Sequence, residues 1–295
     1  MESPTPFRSA RRAPPTELVG LAPLLLFWLV GGALFGEYLA HGAHLAPIPE
    51  RPALLAPVRP PELESKNRGV PSTVRAHKDA MRLYDYAASQ NCYKVRLLLA
   101  HLGLSFETTW VDIAAGEART PEFLRMNPSG CVPVLEPEPG VFIPESNAIL
   151  YYLAQGTPYW PTDPVAQAHA LWWMFFEQES HQPSIATLRH WTLTGKLTRY
   201  PAQVEPKRRQ GHGVLTTMDR HLAGRAFFAG PDYSVADISL YAYTHLANEG
   251  GFVLERYPAV VSWLGRVRAQ PGHLTEVFPY PPSASGYLPS ELEAA

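Results

Sequence analysis

Three clusters of residues in this chain carry types and spacings that could do chemistry. Ser89, Asn91 and Cys92 stand at the start of an apolar helical pattern. Asn127-Pro-Ser-Gly-Cys-Val-Pro133-Val-Leu135 spells a turn and then a short strand that opens on proline. Pro144-Glu145-Ser146 follows one hairpin later, directly before a second helical pattern. Hydroxyl and amide groups beside a helix start, where backbone N–H groups are unpaired, suit a bound anion such as a carboxylate. A proline lacks a ladder donor, so Pro133 fits only a strand start, an edge or a special turn. Were the Val132–Pro133 bond cis, the Val132 backbone would face outward and could pair with an extended peptide as an added strand would. The same residues also describe an ordinary hairpin and a capped helix, and taken alone they do not choose between the two readings.

The elements that must position these residues follow from local pattern. Arg82 to Tyr86 reads as a strand, and Ala87 to Asn91 as a loop. Cys92 to Leu102 reads as a helix with Val95, Leu98, Leu99 and Leu102 on one face, ended by Gly103. Ser105 to Asp112 reads as a second strand and Ala114 to Met126 as a loop and short helix with Pro121 in its first turn. The hairpin turns at residues 136–140, and Ser146 is expected to cap a helix whose apolar face is Ile149, Leu150 and Leu153. The order β-α-β-α-β-β-α suits a small sheet with helices on both faces. After the three-proline linker at 157–164 the pattern is helical: Val165 to Glu179, Pro206 to Leu222, and Pro258 to Arg268. The aromatic run in the first of these reads as core or interface rather than a pocket. Ser234 to Asp237 has the spacing of a capping box, which makes Asp237 structural. Residues beyond Phe278 are expected to trail over the surface.

Composition narrows the classes. The chain has 295 residues, 46% of them hydrophobic, and a net charge of −2. From Met81 onward, 16 basic residues face 20 acidic ones, a net charge of −4 with no basic patch for nucleic acid. Two cysteines, Cys92 and Cys131, make no disulfide framework and fit a reduced compartment. The 11 histidines form no metal-ligand spacing, and no P-loop, Gly-x-Ser-x-Gly or Gly-x-Gly-x-x-Gly occurs. Residues 1–80 differ from the rest and hold 12 of the 31 prolines. Within them Leu18 to Gly36 is uncharged over 19 residues, close to a membrane span, and Arg8, Arg11 and Arg12 precede it. This segment reads as a signal-anchor with a tether, a cleaved signal peptide, or an extension upstream of a true start at Met81.

Together, Ser89-Gln-Asn-Cys-Tyr-Lys-Val-Arg-Leu-Leu-Leu-Ala100, Asn127 to Leu135 and Glu145-Ser146 resemble the glutathione S-transferases, most of all bacterial theta- or beta-like members. The resemblance runs from Met81 to about Gly272. It implies a thioredoxin-like α/β domain at 81–156 that binds glutathione, an all-α helical domain at 164–275 and a tail at 276–295. It also implies a cytosolic homodimer, with glutathione as co-substrate and no cofactor. By the same resemblance Ser89 is the catalytic hydroxyl, with Asn91 as a second donor to the sulfur. The Val132 backbone before Pro133 would pair with the cysteinyl part, and Glu145 with Ser146 would hold the γ-glutamyl end. Cys131 departs from the Lys or Gln of many relatives, so Arg119 is a candidate for the glycyl contact. Cys92 lies three residues past the catalytic position and reads as packing. The expected activity is conjugation of glutathione to a small hydrophobic electrophile held near Ala87–Ala88 and the helices of the second domain. A glutathione-dependent disulfide reductase or peroxidase, and a non-catalytic binding protein, are the alternatives. Cytoplasmic location is expected, or membrane anchorage through residues 18–36.

Overall fold

The computed structural model describes residues 81–280. The candidate membrane segment at 18–36 lies outside them, and among the described residues no helix is long and apolar enough to cross a membrane. Strands β1 (Arg82–Asp85), β2 (Glu107–Trp110), β3 (Val134–Glu138) and β4 (Val141–Pro144) form one sheet in the order β2-β1-β3-β4. The β1–β2 pair is parallel and the other two are antiparallel, with Tyr84 opposite Val134 and Val134 opposite Pro144.

The sheet's two faces follow the two-residue alternation of a strand. Leu83 and Leu135 point to the main core. Tyr84 and Val134 point the other way, onto Val111, Ala118 and Phe123 of the short helix α2 (Pro121–Met126). Strand β2 is shorter than its pattern suggested. It is an edge strand with three of four residues exposed, so little burial holds its ends to the ladder.

Helix α1 (Gln90–Leu102) begins two residues before the expected start, with Ser89 as its N-cap, and ends as expected at Gly103, whose φ of 59° is left-handed. Helix α3 (Ser146–Ala154) corrects a second expectation. Ser146 is its first helical residue, and the N-cap position belongs to Glu145 at φ 76°, ψ 113°. Among the described residues Glu145 is the one non-glycine with positive φ, a conformation costing about 1–3 kcal/mol.

The helical part comprises α4 (Pro164–Phe176), widened π-type turns over Glu177–Ala186, α5 (Thr187–Leu193), α6 (Pro201–Leu222), α7 (Val235–Thr244) and α8 (Pro258–Arg268). Helix α6 starts five residues earlier than its pattern showed, because Pro201 sits in its first turn, and Pro206 falls inside it. The aromatic run of α4 divides by face. Trp173 is buried against Phe228 and His221, whereas Trp172 and Phe175 are exposed. The Ser234–Asp237 capping box is present. The Asp237 carboxylate also accepts from the Phe228 N–H and the Trp263 indole, which fixes it as a structural acid. Leu97, Leu98, Leu135 and Ile149 share one apolar core with Trp173, Ile238 and Trp263, so sheet and helices are packed as a single interior.

Candidate glutathione site

A cavity of about 340 Å³ lies where the sheet meets α1, α3 and the π-type turns. It is lined by Asn91, Asn127, Ser129, Cys131, Val132, Pro133, Pro144, Glu145, Ser146, Gln178 and Gln182. Local hydrogen bonding builds its sheet-side wall. The buried Asn127 carbonyl oxygen Oδ1 accepts from Ser129 N and Oγ, while its Nδ2 donates to Cys131 O at 2.7 Å. The backbone then turns through Gly130 at φ 61°. A Cβ there would stand 2.9 Å from the Ala118 carbonyl oxygen and press on the Arg119 guanidinium, so glycine is required by both conformation and space. The Val132–Pro133 bond is cis, and Val132 precedes the first ladder residue, Val134.

The opposite lip is the start of α3. The Ser146 hydroxyl accepts from Lys94 Nζ at 3.4 Å and donates to Asn91 Oδ1 at 3.5 Å. With Oδ1 so engaged, the Asn91 amide has its two N–H donors left for the cavity. Five of the seven residues anticipated from sequence thus border one space: Asn91, Val132, Pro133, Glu145 and Ser146.

Ser89 and Arg119 do not line it. Ser89 Oγ accepts the Cys92 N–H at 3.3 Å as the cap of α1, which leaves its own proton to donate. The loop that carries it is pinned from below: Arg96 reaches both oxygens of the buried Asp85 at 2.7 Å and the Ala87 carbonyl at 3.0 Å. Arg119 donates to the Ser129 carbonyl, supporting the turn from behind. The Cys92 thiol is buried, accepts from the Tyr86 N–H and is pushed upward in pKa by that burial, so it stays protonated and packs.

Sequence reasoning missed the floor. Lys94 and Glu177 side chains are fully buried and paired at 2.7 Å. Glu177 Oε2 also accepts from Asn147, Gln178 and Ser239. Burial raises the Glu177 pKa, against the lowering effect of the Lys94 charge. The signal was present: Lys94 sits four residues before Leu98 on the apolar face of α1, where a lysine has no solvent to reach.

A second group of side chains, the far wall, gathers near the α1 N-terminus, where Tyr280 packs on Tyr86, Ala88 and Cys92. The Tyr280 ring is 6.5 Å from that of Tyr86 and 5.4 Å from that of His190, and Arg189 lies over it at 5.5 Å. This corrects the expectation of a surface-trailing tail at Tyr280; residues 281–295 lie outside the described residues. The Tyr86 hydroxyl and Arg189 Nη1 are buried there without hydrogen-bond partners among the described residues. Among the described residues no cluster of His, Cys, Asp and Glu could hold a metal ion.

Comparison with known proteins places this geometry. The model of the glutathione S-transferase N-terminal domain matches residues 79–155, and that of the C-terminal domain matches residues 201–266. Glutathione S-transferase 3 of Zea mays is 31% identical over 222 residues, covering 70% of this chain and 98% of the relative. The chain belongs to the glutathione S-transferase family. A glutathione S-transferase of Pseudomonas fluorescens Pf-5, known as a crystal structure, superimposes with a TM-score of 0.65. It is 42% identical and covers 66% of this chain and 98% of its own. The disulfide-bond oxidoreductase YfcG of Escherichia coli is 27% identical over 193 residues, covering 63% of this chain and 89% of its own length. The family architecture, a thioredoxin-like sheet domain followed by an all-helical region, is the fold described above.

Proposed function

We propose that this member is a glutathione transferase that joins the glutathione thiolate to a small hydrophobic electrophile. The observation that carries the reading is the meeting of Ser146, at the open start of α3, with the unladdered Val132 and the Asn91 amide in one cavity. In this reading the first-turn N–H groups of α3 and the Ser146 hydroxyl take the γ-glutamyl carboxylate. Glu145 faces the ammonium, and the Val132 backbone pairs with the cysteinyl unit. The thiol, with an ordinary pKa of ~8.5, is drawn toward thiolate by the Ser89 hydroxyl and the α1 N-terminus. Sulfur then forms a bond to the electrophilic carbon as the leaving group departs with its electron pair. The acceptor would lie against Ala88 and the far wall. Arg119 is left out of this assignment because it faces the turn rather than the cavity.

A second reading follows from Asn91, not Ser89, lining the cavity. A glutathione-dependent disulfide reductase would use bound glutathione and the Asn91 amide, with no protein thiol. Turnover of a mixed disulfide against turnover of a chloro-aromatic separates the two. We also assign a homodimer to the exposed Tyr151, Leu171 and Phe175, which border an apolar hollow of about 460 Å³. Glu145 and Gln178 border both hollows, so a partner copy there would sit at the edge of the glutathione site. Cytoplasmic location remains part of the proposal.

The deciding experiment is calorimetric titration of glutathione into the whole chain, with Ser146→Ala alongside. Saturable binding weakened by the variant supports the enzyme readings. No binding by the folded wild type would overturn both and leave a non-catalytic binding protein.

A further inference from the structure

The pair beneath the cavity is unusual in its placement. Two full charges are removed from water, and such a pair seldom adds net stability over apolar residues of the same size. This one also touches the site. The Lys94 ammonium has three donors; one goes to Glu177 and one to Ser146 Oγ. Four donors share Glu177 Oε2: Lys94, Asn147, Gln178 and Ser239. Of the pair, it is the ammonium that touches the Ser146 hydroxyl at the start of α3.

Resting on the glutathione reading above, we propose that Lys94 is a positioning residue that makes the site selective for peptides with a free α-carboxylate on a γ-glutamyl end. It acts in two ways. Its N–H fixes one lone pair of the Ser146 hydroxyl, so the hydroxyl proton points outward, to Asn91, and to a carboxylate when one is bound. Its charge, screened by protein rather than water, adds to the partial charge of the helix start. Glu177, held by four donors, anchors the ammonium from the helical domain, so carboxylate recognition by the sheet domain depends on a group supplied by the other. His181, buried next to this pair and bonded to Thr244 Oγ1 at 2.9 Å, is held neutral with its pKa lowered to about 3 by burial and by Lys94. It therefore adds no competing charge at neutral pH.

The test uses two ligands on the full chain: glutathione, and its analogue with 4-aminobutanoyl in place of γ-glutamyl, which lacks only the α-carboxylate. The main variant is Lys94→Met combined with Glu177→Gln, which removes both charges and orphans neither. Calorimetric titration should show a wild-type preference for glutathione that falls about tenfold or more in the variant. Affinity for the analogue should stay within about twofold. A preference unchanged within about twofold, or equal loss with both ligands, would make the pair merely structural and overturn the inference while leaving the glutathione site intact. Should the neutral pair not fold, Lys94→Arg replaces the point donor by a planar fork, and its affinity change must then be confined to the carboxylate ligand. Wild type that binds neither ligand removes the site and this inference with it.

Discussion

The cavity at the start of α3 and the far wall around Tyr280 are built in opposite ways. The sheet-side wall and the α3 lip that faces it come mostly from one run of about twenty residues, Asn127 to Ser146, and their geometry is set by a turn, a proline, a glycine and a helix start. The far wall gathers Tyr86, Ala88, Arg189, His190 and Tyr280 from across the described chain. Backbone conformation sets the first, and the second holds two buried polar atoms without partners among the described residues, the Tyr86 hydroxyl and Arg189 Nη1. A wall made of backbone can keep one ligand while side chains elsewhere change. A wall made of distant side chains is free to take a different acceptor with few substitutions.

The largest perturbation should be acid, and it should separate the walls. Burial lowers the pKa of His181 to about 3 and of His190, His245 and His273 to about 4. These groups take up protons in the unfolded chain near pH 6.5 but not in the folded one, so stability is present above that value and falls as pH drops from about 6.5 toward 4. Asp237, raised to about 6 by burial, acts oppositely between about 4 and 6, losing its contribution as pH rises, and offsets one of the four. None of the four histidines is on the sheet-side wall, while His273 adjoins Leu274, whose carbonyl accepts from Tyr93. Amide exchange should therefore quicken over 274–280 at a higher pH than over 134–146. Simultaneous opening would show that the walls are not energetically separate.

Glu177→Ala comes next, because it leaves the Lys94 ammonium buried beneath the cavity without its counter-ion. A loss of about 3–5 kcal/mol in a urea melt is expected. Ser146→Ala should cost about 1.5–3 kcal/mol of glutathione affinity and, because it leaves one donor of the buried Lys94 ammonium without its partner, about 1–3 kcal/mol in the melt. The smallest effect is at the far wall. Tyr280→Ala should alter turnover of aromatic acceptors a few-fold, with glutathione affinity held within about twofold. An equal change in glutathione affinity would merge the two walls into one site.

Legibility follows the same division. Asn127, Gly130, Pro133 and Ser146 could be read because each acts through its own backbone and near neighbours. Gly103 and the Ser234–Asp237 box were readable for the same reason. The start of α6 is harder to read, because a proline ordinarily opens a helix and Pro206 instead lies inside one that Pro201 opens. Lys94 was passed over because a charge in a helix is usually solvated, and only the helix's partners reveal that this one is not. Trp172 and Trp173 are identical in type and adjacent in sequence, yet one is exposed and one buried; the apolar run around them has no polar stripe to orient it. Tyr280 lies 194 residues from Tyr86, and no local pattern connects them.

The shared interior bears on how such a protein could be divided or recombined. Leu97 and Leu98 of the sheet domain are in the same apolar cluster as Ile238 and Trp263. Cutting at the linker would present α1 to water with a stripe of leucines and a lysine whose counter-ion had left with the other fragment. Exchange of the helical region between relatives faces the same barrier, since the incoming partner must bring both the matching surface and an acid at the place of Glu177. Modular by outline, the two domains are heritable as one piece.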